Sequence, residues 1–130
     1  MREPEVEARV RDYLAEQGYT LLGRARPHGP DIIAKKEDKI LAVEVKGDRP
    51  GHESSPGTIN VDVMTLLGQI VLRKSEAPAD QHAIGIRPVH RRLIDRAGLV
   101  LRELGVTVYL VKDDGSVEEV SGRFSPRDSP

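Results

Sequence analysis

The run from Lys39 to Lys46 constrains the fold most, because it places Glu44 and Lys46 at the end of an otherwise apolar strand that begins at Lys39. The residues between the two lysines, Ile-Leu-Ala-Val-Glu-Val, predict a β-strand in the centre of a sheet. Alternate residues of a strand project to opposite faces, so Glu44 and Lys46 are neighbours on one face. Unpaired charge is costly in a buried strand. The strand therefore holds either a paired Glu-Lys rung or a site that uses both charges.

A second acid is brought to the same place by the preceding strand. Asp31 opens a predicted strand that ends at Lys36, and a polar turn over 37–39 leads into the next strand. Counting outward from the turn, position 31 lies opposite about position 45. Asp31 and Glu44 are thereby placed together at the end of a hairpin. Such a pair of carboxylates, completed by waters and a substrate phosphate, is how Mg²⁺ is usually held.

The rest of the chain alternates helical and extended patterns. Apolar residues at helical spacing predict a first helix between Pro4 and Gly18, a second helix capped by Asn60 or Asp62 after a long loop over 47–60, and a third over 89–104. The predicted strands are 19–26, 31–36, 39–46, 80–87, 106–111 and 116–120, the last two joined by Asp114-Gly115. The order α-β-β-β-α-β-α-β-β predicts a mixed sheet with helices on both faces, in which the fourth strand runs parallel to the third.

Length and composition exclude several classes of protein. The 130 residues fit a single domain over 1–120, followed by a flexible C-terminal tail over 121–130. No apolar run approaches the ~20 residues that cross a bilayer, so no membrane association is expected. The charged N-terminus lacks the apolar core of a signal peptide, and the cytoplasm is the expected location. The absence of cysteine excludes disulfides, thiolate catalysis and cysteine-ligated zinc, and no GxxxxGK motif supports a nucleotide cofactor.

Charge is segregated along the chain although the net charge is only −1. Between residues 73 and 102 basic residues exceed acidic ones by four, whereas 113–119 contains four acids and no base. Arg91 and Arg92 begin the third helix, and Arg49 follows Lys46 in the loop where a substrate would arrive. A basic face for phosphate and an ordinary charged surface explain this pattern about equally well.

The strand pair resembles the PD-(D/E)XK nuclease superfamily through Gly29-Pro30-Asp31 and Glu44-Val45-Lys46, with Glu44 thirteen positions after Asp31. The resemblance covers most of residues 3–88 and is nearest to archaeal-type Holliday junction resolvases and small restriction-endonuclease-like domains. It implies an α/β fold with a restriction-endonuclease-like αβββαβ core, a mixed sheet flanked by helices, and an added C-terminal helix and β-hairpin.

The same resemblance extends to residues outside the strand pair. In those families a glutamate of the first helix reaches the metal, and Glu7 matches that place, with Glu5 as the fallback. Resolvases follow this glutamate with an arginine, where this chain has Ala8. Gln69 is similar to the glutamine that exonuclease-like branches place beside the metal, and their tyrosine four residues later is Arg73 here.

The resemblance implies a metal-dependent nuclease that hydrolyses DNA phosphodiester bonds, expected to be an endonuclease that uses Mg²⁺ or Mn²⁺. In phosphodiester hydrolysis such an ion polarises the phosphate and acidifies a water, and a lysine stabilises the transition state. Cutting both strands symmetrically would need two sites, so a homodimer is possible. The expected catalytic residues are Asp31, Glu44, Lys46 and Gln69. The expected metal ligands are Glu7, Asp31, Glu44 and Val45. The residues expected to contact DNA are His28, Arg49, Arg73, Arg91 and Arg92.

Two other functions stay open. One is a nuclease-fold module that binds nucleic acid or a partner without cutting, and the other is a subunit that acts only inside a larger assembly. The intact set of Asp31, Glu44 and Lys46 favours catalysis, whereas the acidic net charge favours the alternatives. Glu7 and Gln69 also have a plain interpretation as solvated helix residues. The four histidines fall in separate elements without the spacing of zinc ligands.

Overall fold

A six-stranded mixed sheet with helices on both faces forms the protein in our computed structural model, which describes residues 1–23, 29–50, 55–76 and 79–120. The predicted tail over 121–130 and the end of the first predicted strand lie outside the described residues. The helices are α1 (Glu3–Glu16), α2 (Pro56–Glu76), α3 (Arg91–Arg96) and α4 (Gly98–Glu103), with a 3₁₀ turn at Pro88–His90. The strands are β1 (Thr20–Leu22), β2 (Ile32–Lys36), β3 (Lys39–Val45), β4 (Gln81–Ile86), β5 (Val106–Val111) and β6 (Val117–Glu119).

The strands lie in the sheet in chain order, from β1 to β6. Strand β3 is parallel to β4 and β4 to β5, while the other neighbours are antiparallel. Parallel neighbours need a crossover, which α2 supplies between β3 and β4 and the shorter helices supply between β4 and β5. The prediction that the fourth strand runs parallel to the third is confirmed. Among the described residues, no helix combines the length with the apolar composition that crossing a bilayer requires.

Two hydrophobic layers fix where the helices sit. Helix α1 packs one face of the sheet through Val6, Val10 and Leu14, against a set of strand residues that includes Val43 and Val45. The other face is covered by apolar side chains of α2, α3 and α4. Because residues of β3 alternate between these faces, Glu44 points to the α2 side. The charged strand positions therefore lie between the sheet and α2.

The structure corrects the predicted start of the second helix. Helix α2 begins at Pro56, where a proline is tolerated because the first helical N–H has no partner in the helix. The Ser55 hydroxyl accepts the Thr58 N–H at 3.3 Å. Asn60 and Asp62, predicted as caps, lie inside the helix. The predicted loop over 47–60 therefore ends at 55, and its residues 51–54 lie outside the described residues.

The predicted third helix over 89–104 is divided. The Ala97 N–H donates to the carbonyls of both Leu93 and Ile94, which tightens the last turn of α3. Gly98 follows and starts α4. Glycine is a poor residue for a helix interior because it loses more conformational freedom than any other residue, so a break at this position is favoured.

Candidate active site

Glu44 is the most deeply buried acid of the candidate site. It lies in β3, its residue exposure is 2%, and its Oε1 accepts the Nε–H of Arg73 from α2 at 2.8 Å. The pKa of Glu44 is raised to about 7, mainly by burial; the Arg73 hydrogen bond opposes this rise and the neighbouring Asp31 adds to it. Burial disfavours the charged form of a carboxyl group. Glu44 therefore titrates near neutrality.

Asp31 reaches the same place from the bend that precedes β2. Its Oδ2 accepts the backbone N–H of Val45 at 2.9 Å, and its carboxyl group is within hydrogen-bonding reach of Glu44. The strand register, with Ile32 opposite Val43, continues to place position 31 opposite position 44. The predicted meeting of Asp31 with the end of β3 is confirmed to within one residue.

Val45 contributes through its backbone. The N–H and the carbonyl of an extended residue face the same neighbouring strand, so the Val45 carbonyl points to the side of Asp31. The predicted metal donors Asp31, Glu44 and Val45 are thereby brought to one end of the β2–β3 hairpin.

Lys46 follows β3 directly and lies between two further acids. Its Nζ is 4.0 Å from Oε1 of Glu3 and 4.0 Å from Oδ1 of Asp62. Its backbone N–H donates to the carbonyl of Gly85 in β4 at 2.9 Å, so the start of the side chain is fixed to the sheet. Lys46 is also one of the residues that line a cavity of about 200 Å³, together with Glu3, Gly47, Asp48, Arg49, Pro50 and Asp62.

Gly47 explains why the first helix supplies an acid to this cavity. A Cβ at position 47 would lie 2.2 Å from the backbone nitrogen of Glu3, a distance that no side chain can occupy. Only glycine lets the N-terminus of α1 rest directly on the chain after Lys46. This close approach sets Glu3 beside the ammonium group.

Glu3, which the sequence prediction missed, is thus a helical acid beside the Lys46 ammonium group. Burial raises the pKa of Glu3, with Lys46 opposing and the nearby acids Asp31, Glu7 and Asp62 adding to the rise. Glu7 lies one turn later on the same face of α1 and accepts a hydrogen bond from Arg11 at 3.2 Å. Residues four apart in a helix share a face, so the spacing of Glu3 from Glu7 is the sequence feature from which Glu3 could have been predicted.

Glu5, the fallback, lies on another face of the helix. It is exposed and lies 4.0 Å from Arg9.

Asp62 is the second acid that sequence reasoning left out of the site. Its carboxylate accepts both Nε–H and Nη2–H of Arg49, at 2.9 Å and 2.7 Å. The Arg49 hydrogen bonds hold the pKa of Asp62 below its ordinary value, against burial, with Lys46 also lowering it. Arg49, predicted to contact DNA, is therefore at the cavity and paired with an acid.

One face of α2 carries three residues toward the site. Asp62, Gln69 and Arg73 are separated by seven and four positions, which is the repeat of a single helix face. The predicted Gln69 is half-buried between the other two along this face. Arg73, predicted to contact DNA, contacts Glu44 instead of lying on an outer surface.

A buried network fixes the chain that follows Lys46. Arg87 donates from Nε to Asp48 Oδ2 at 2.8 Å, from Nη1 to the Val111 carbonyl at 2.6 Å, and from Nη2 to Asp113. The Arg87 backbone N–H donates to Nδ1 of the buried His90 at 3.0 Å. These contacts join the ends of β3, β4 and β5. The contacts of the Arg87 side chain could not be predicted from the sequence because its partners lie 24–39 positions away in the chain.

Of the remaining predicted DNA contacts, Arg91 and Arg92 are not among the residues that line this cavity. His28 lies outside the described residues. Arg91 lies 3.8 Å from Asp95 on its own helix. Arg92 lines a separate groove between α2 and α3. The structure does not bring these two arginines together with Lys46.

The donor set can be compared with what a metal ion requires. Within the described ranges, no three histidine, aspartate or glutamate side chains are close enough together to form a metal site. Asp31 and Glu44 nevertheless give two carboxylates, and the Val45 carbonyl gives a third hard oxygen. Mg²⁺ keeps several waters and is often held by one or two carboxylates, so this set fits it.

Comparison with other proteins bears on the fold. No protein-family model and no curated protein matches this chain. Among solved structures, the chain is similar to an XisH family protein from Nostoc punctiforme, with a TM-score of 0.52 and 16% sequence identity. The match covers 88% of this chain and 96% of that chain. With the six-stranded mixed sheet flanked by helices, this similarity shows that the chain has an α/β restriction-endonuclease-like fold.

Proposed function

We propose that this chain is a metal-dependent nuclease of the PD-(D/E)XK superfamily that hydrolyses phosphodiester bonds of DNA. A fold does not by itself imply a function, so the proposal rests on the site. One observation carries it: Asp31 and Glu44 lie within hydrogen-bonding reach, with Lys46 on the same face of the strand as Glu44. Two acids and a lysine in this arrangement provide the groups that phosphodiester hydrolysis requires.

Asp31 and Glu44 are the residues that would hold Mg²⁺ or Mn²⁺, together with the Val45 carbonyl. Hard oxygen donors are the ligands that both ions prefer. An ion bound there would polarise the phosphate and acidify a water. Since the pKa of Glu44 is raised to about 7, the protein has to give up a proton to bind the ion in mildly acidic solution.

Lys46 would supply the positive charge that phosphodiester hydrolysis requires. Its ammonium group lies between Glu3 and Asp62, each 4.0 Å away. A cation in this position can stabilise the negative charge that develops on the phosphate oxygens. Glu3 and Asp62 serve to position the ammonium group, and Gly47 allows Glu3 to approach.

Arg49 is the best placed DNA contact at this site. Its side chain is 40% exposed at the rim of the cavity, and it is held by Asp62. A guanidinium group can bind phosphate while it keeps an acidic neighbour, because it has five N–H donors. A net charge of −1 means that attraction to DNA has to come from such local contacts.

A non-cutting DNA-binding or partner-binding module is the second candidate, and one feature favours it. Arg73 and Arg49 already neutralise Glu44 and Asp62 with hydrogen bonds of 2.7–2.9 Å. A site whose acids are paired with arginines needs no ion for charge balance. The two candidates differ in whether an added ion competes with Arg73 for Glu44.

The purified protein would be incubated with duplex, branched, flapped and single-stranded DNAs, with Mg²⁺, with Mn²⁺ and with chelator. The nuclease proposal predicts metal-dependent cleavage of at least one substrate. Glu44→Gln, which keeps the size of the side chain, should abolish it. Binding of DNA without cleavage in any metal would support the second candidate. Cleavage that persists in chelator would contradict the metal-dependent mechanism.

A further inference from the structure

Helix α2 exposes apolar side chains on its outer face. Val61, Met64, Val71 and Leu72 are each 52–62% exposed, and Gly68 lies between them with open space above it. At roughly 100° per residue these positions form one stripe, opposite the buried stripe of Val63, Leu66 and Ile70. A helix that is apolar on both sides is normally covered on both sides.

The stripe continues into a groove between α2 and α3. One cavity of about 320 Å³ is lined by Pro56, Ile59, Asn60, Val89, Arg92, Leu93 and Arg96. A second, of about 230 Å³, is lined by Val63, Met64, Leu67, Leu93, Arg96 and Ala97. The two cavities share Leu93 and Arg96, and Met64 connects them to the exposed stripe. We call the stripe and the groove together the α2–α3 face.

The charges on this face have one sign. Arg92 and Arg96 stand at the edge of an apolar floor, and no acid is among the described residues that line either cavity. The acid of the same helix, Asp95, lies 3.8 Å from Arg91, and neither residue lines either cavity. A ligand that complements this face therefore presents an apolar surface to the floor and acidic groups, at the edge of that surface, to the two arginines.

We propose that the α2–α3 face is a docking surface for an acidic amphipathic helix of a partner protein. Its apolar side would cover the α2 stripe, and its acidic residues would meet Arg92 and Arg96. Amphipathic helices are commonly bound in this way, with their apolar face in a groove between helices. Charge at the edge of such a contact selects the partner and speeds association.

The size of the apolar surface favours a single helix. Four side chains of this kind, each a little over half exposed, present on the order of 400 Å², which is typical of a binding patch on a monomer. One partner of an ordinary stable complex contributes about 800 Å². In an antiparallel two-fold pairing of two copies through α2, the same flank of both copies would meet. Arg92 and Arg96 of the two copies would then repel each other.

Duplex DNA fits this face less well than an acidic helix does. Phosphates would meet the two arginines, but the apolar floor would lose water without gaining a partner. The face lies on the other side of α2 from Asp62 and Arg73, and its cavities share no residue with the cavity at Lys46. A negative result for the docking proposal would therefore not contradict the nuclease proposal, and the reverse also holds.

The experiment uses the whole chain and a library of displayed helical peptides of about five turns. Leucines are fixed along one face of every peptide, and the flanking positions vary among glutamate, lysine and serine. Selection on the wild type should enrich glutamate over lysine by about tenfold or more. Selection on the double variant Arg92→Glu, Arg96→Glu should enrich lysine instead. The matched control is Lys35→Glu, Lys39→Glu, which reverses two charges on the β2–β3 hairpin and should behave like the wild type.

Four results would overturn the proposal. They are no enrichment on the wild type, equal enrichment of glutamate and lysine, an unchanged preference on the arginine double variant, and a loss of preference in the lysine control.

Two parallel measurements would identify a different occupant of the α2–α3 face and so would also overturn the proposal. A dimer in sedimentation that Met64→Glu dissociates would assign the face to a second copy. A weaker salt dependence of duplex DNA binding in the arginine variant, without peptide enrichment, would assign it to phosphate. Arg92 and Arg96 are at the surface, so circular dichroism should show an unchanged fold.

Discussion

Arg73 donates its Nε–H to Glu44 Oε1 across 2.8 Å, joining the last turn of the crossover helix α2 to the buried acid of the central strand. Glu44 stands two residues before Lys46, so the contact lies inside the candidate site. The guanidinium group occupies the side of Glu44 from which α2 approaches the sheet. Arg73 therefore sets how readily Glu44 ionises and how readily it can bind an ion.

We expect Mg²⁺ or Mn²⁺ affinity to rise with pH by about tenfold per pH unit below about pH 7 and to level off above it. The sign follows from the raised pKa of Glu44: below it the carboxyl group is protonated, and the proton has to leave before an ion can bind. Isothermal titration calorimetry between about pH 5.5 and about pH 8.5 measures this dependence.

Arg73→Ala should move the midpoint of that pH dependence upward, because the lost hydrogen bond stabilises the ionised form of Glu44. Lys74→Ala removes the adjacent, exposed charge of the same helix and should leave the midpoint in place. An affinity that does not change with pH would remove Glu44 from the metal site.

Asp31→Asn should lower metal affinity by about tenfold or more, because a neutral amide replaces one of two charged ligands. Asparagine keeps an oxygen that can accept the Val45 N–H, so the hairpin should remain folded. The comparison is made above pH 8, where Glu44 is ionised with or without its acidic neighbour. Asp38→Asn, in the exposed turn of the same hairpin, is the control. Equal affinities of the wild type and Asp31→Asn would contradict metal binding at this site.

The hairpin could be predicted from the sequence because its determinants are local. Two apolar strands joined by a short polar turn fix the register, and the register brings Asp31 to Glu44. The turn is 37–38, one residue shorter than predicted, so position 31 lies opposite 44 and not 45. The ion pairs of Arg73 and Asp62 could not be predicted in this way. They depend on the rotation of α2 about its own axis, which is set by packing against the sheet. The Ser55-Pro56 pair is a local pattern typical of a helix start, but Asn60 and Asp62 are also residue types that cap helices, so the sequence does not decide between these starts.

Glu3 and Glu7 can be separated by substitution. Glu3→Gln should lower the cleavage rate by about tenfold with little change in metal affinity, because Glu3 positions Lys46 across 4.0 Å. Glu7→Gln should have the smaller effect on cleavage, since Glu7 is held by Arg11. Glu5→Gln changes an exposed acid on another face of the helix and should be silent. A larger loss of activity in Glu7→Gln than in Glu3→Gln would contradict this assignment. It would make Glu7, as the family resemblance indicates, the helical acid that acts at the site.

Gly47→Ala should destabilise the protein by about 1–3 kcal/mol, because the added methyl group forces the N-terminus of α1 away from β3. Gly68→Ala is the matched substitution in open space within α2, and it should be neutral or stabilising by up to about 1 kcal/mol. Urea unfolding at a single pH compares the two variants with the wild type. Equal stability of Gly47→Ala and Gly68→Ala would show that the close approach at Glu3 is not required.

The nuclease proposal is tested most directly by Lys46→Ala. Single-turnover cleavage of the best substrate from the DNA panel is measured for the wild type, Lys46→Ala and Lys39→Ala, at saturating metal. The proposed mechanism predicts that Lys46→Ala lowers the cleavage rate by about a hundredfold or more while DNA binding stays nearly unchanged, because the ammonium group acts mainly in the transition state. Lys39→Ala, at the exposed start of the same strand, should cleave like the wild type. Unchanged cleavage by a folded Lys46→Ala protein would contradict the mechanism.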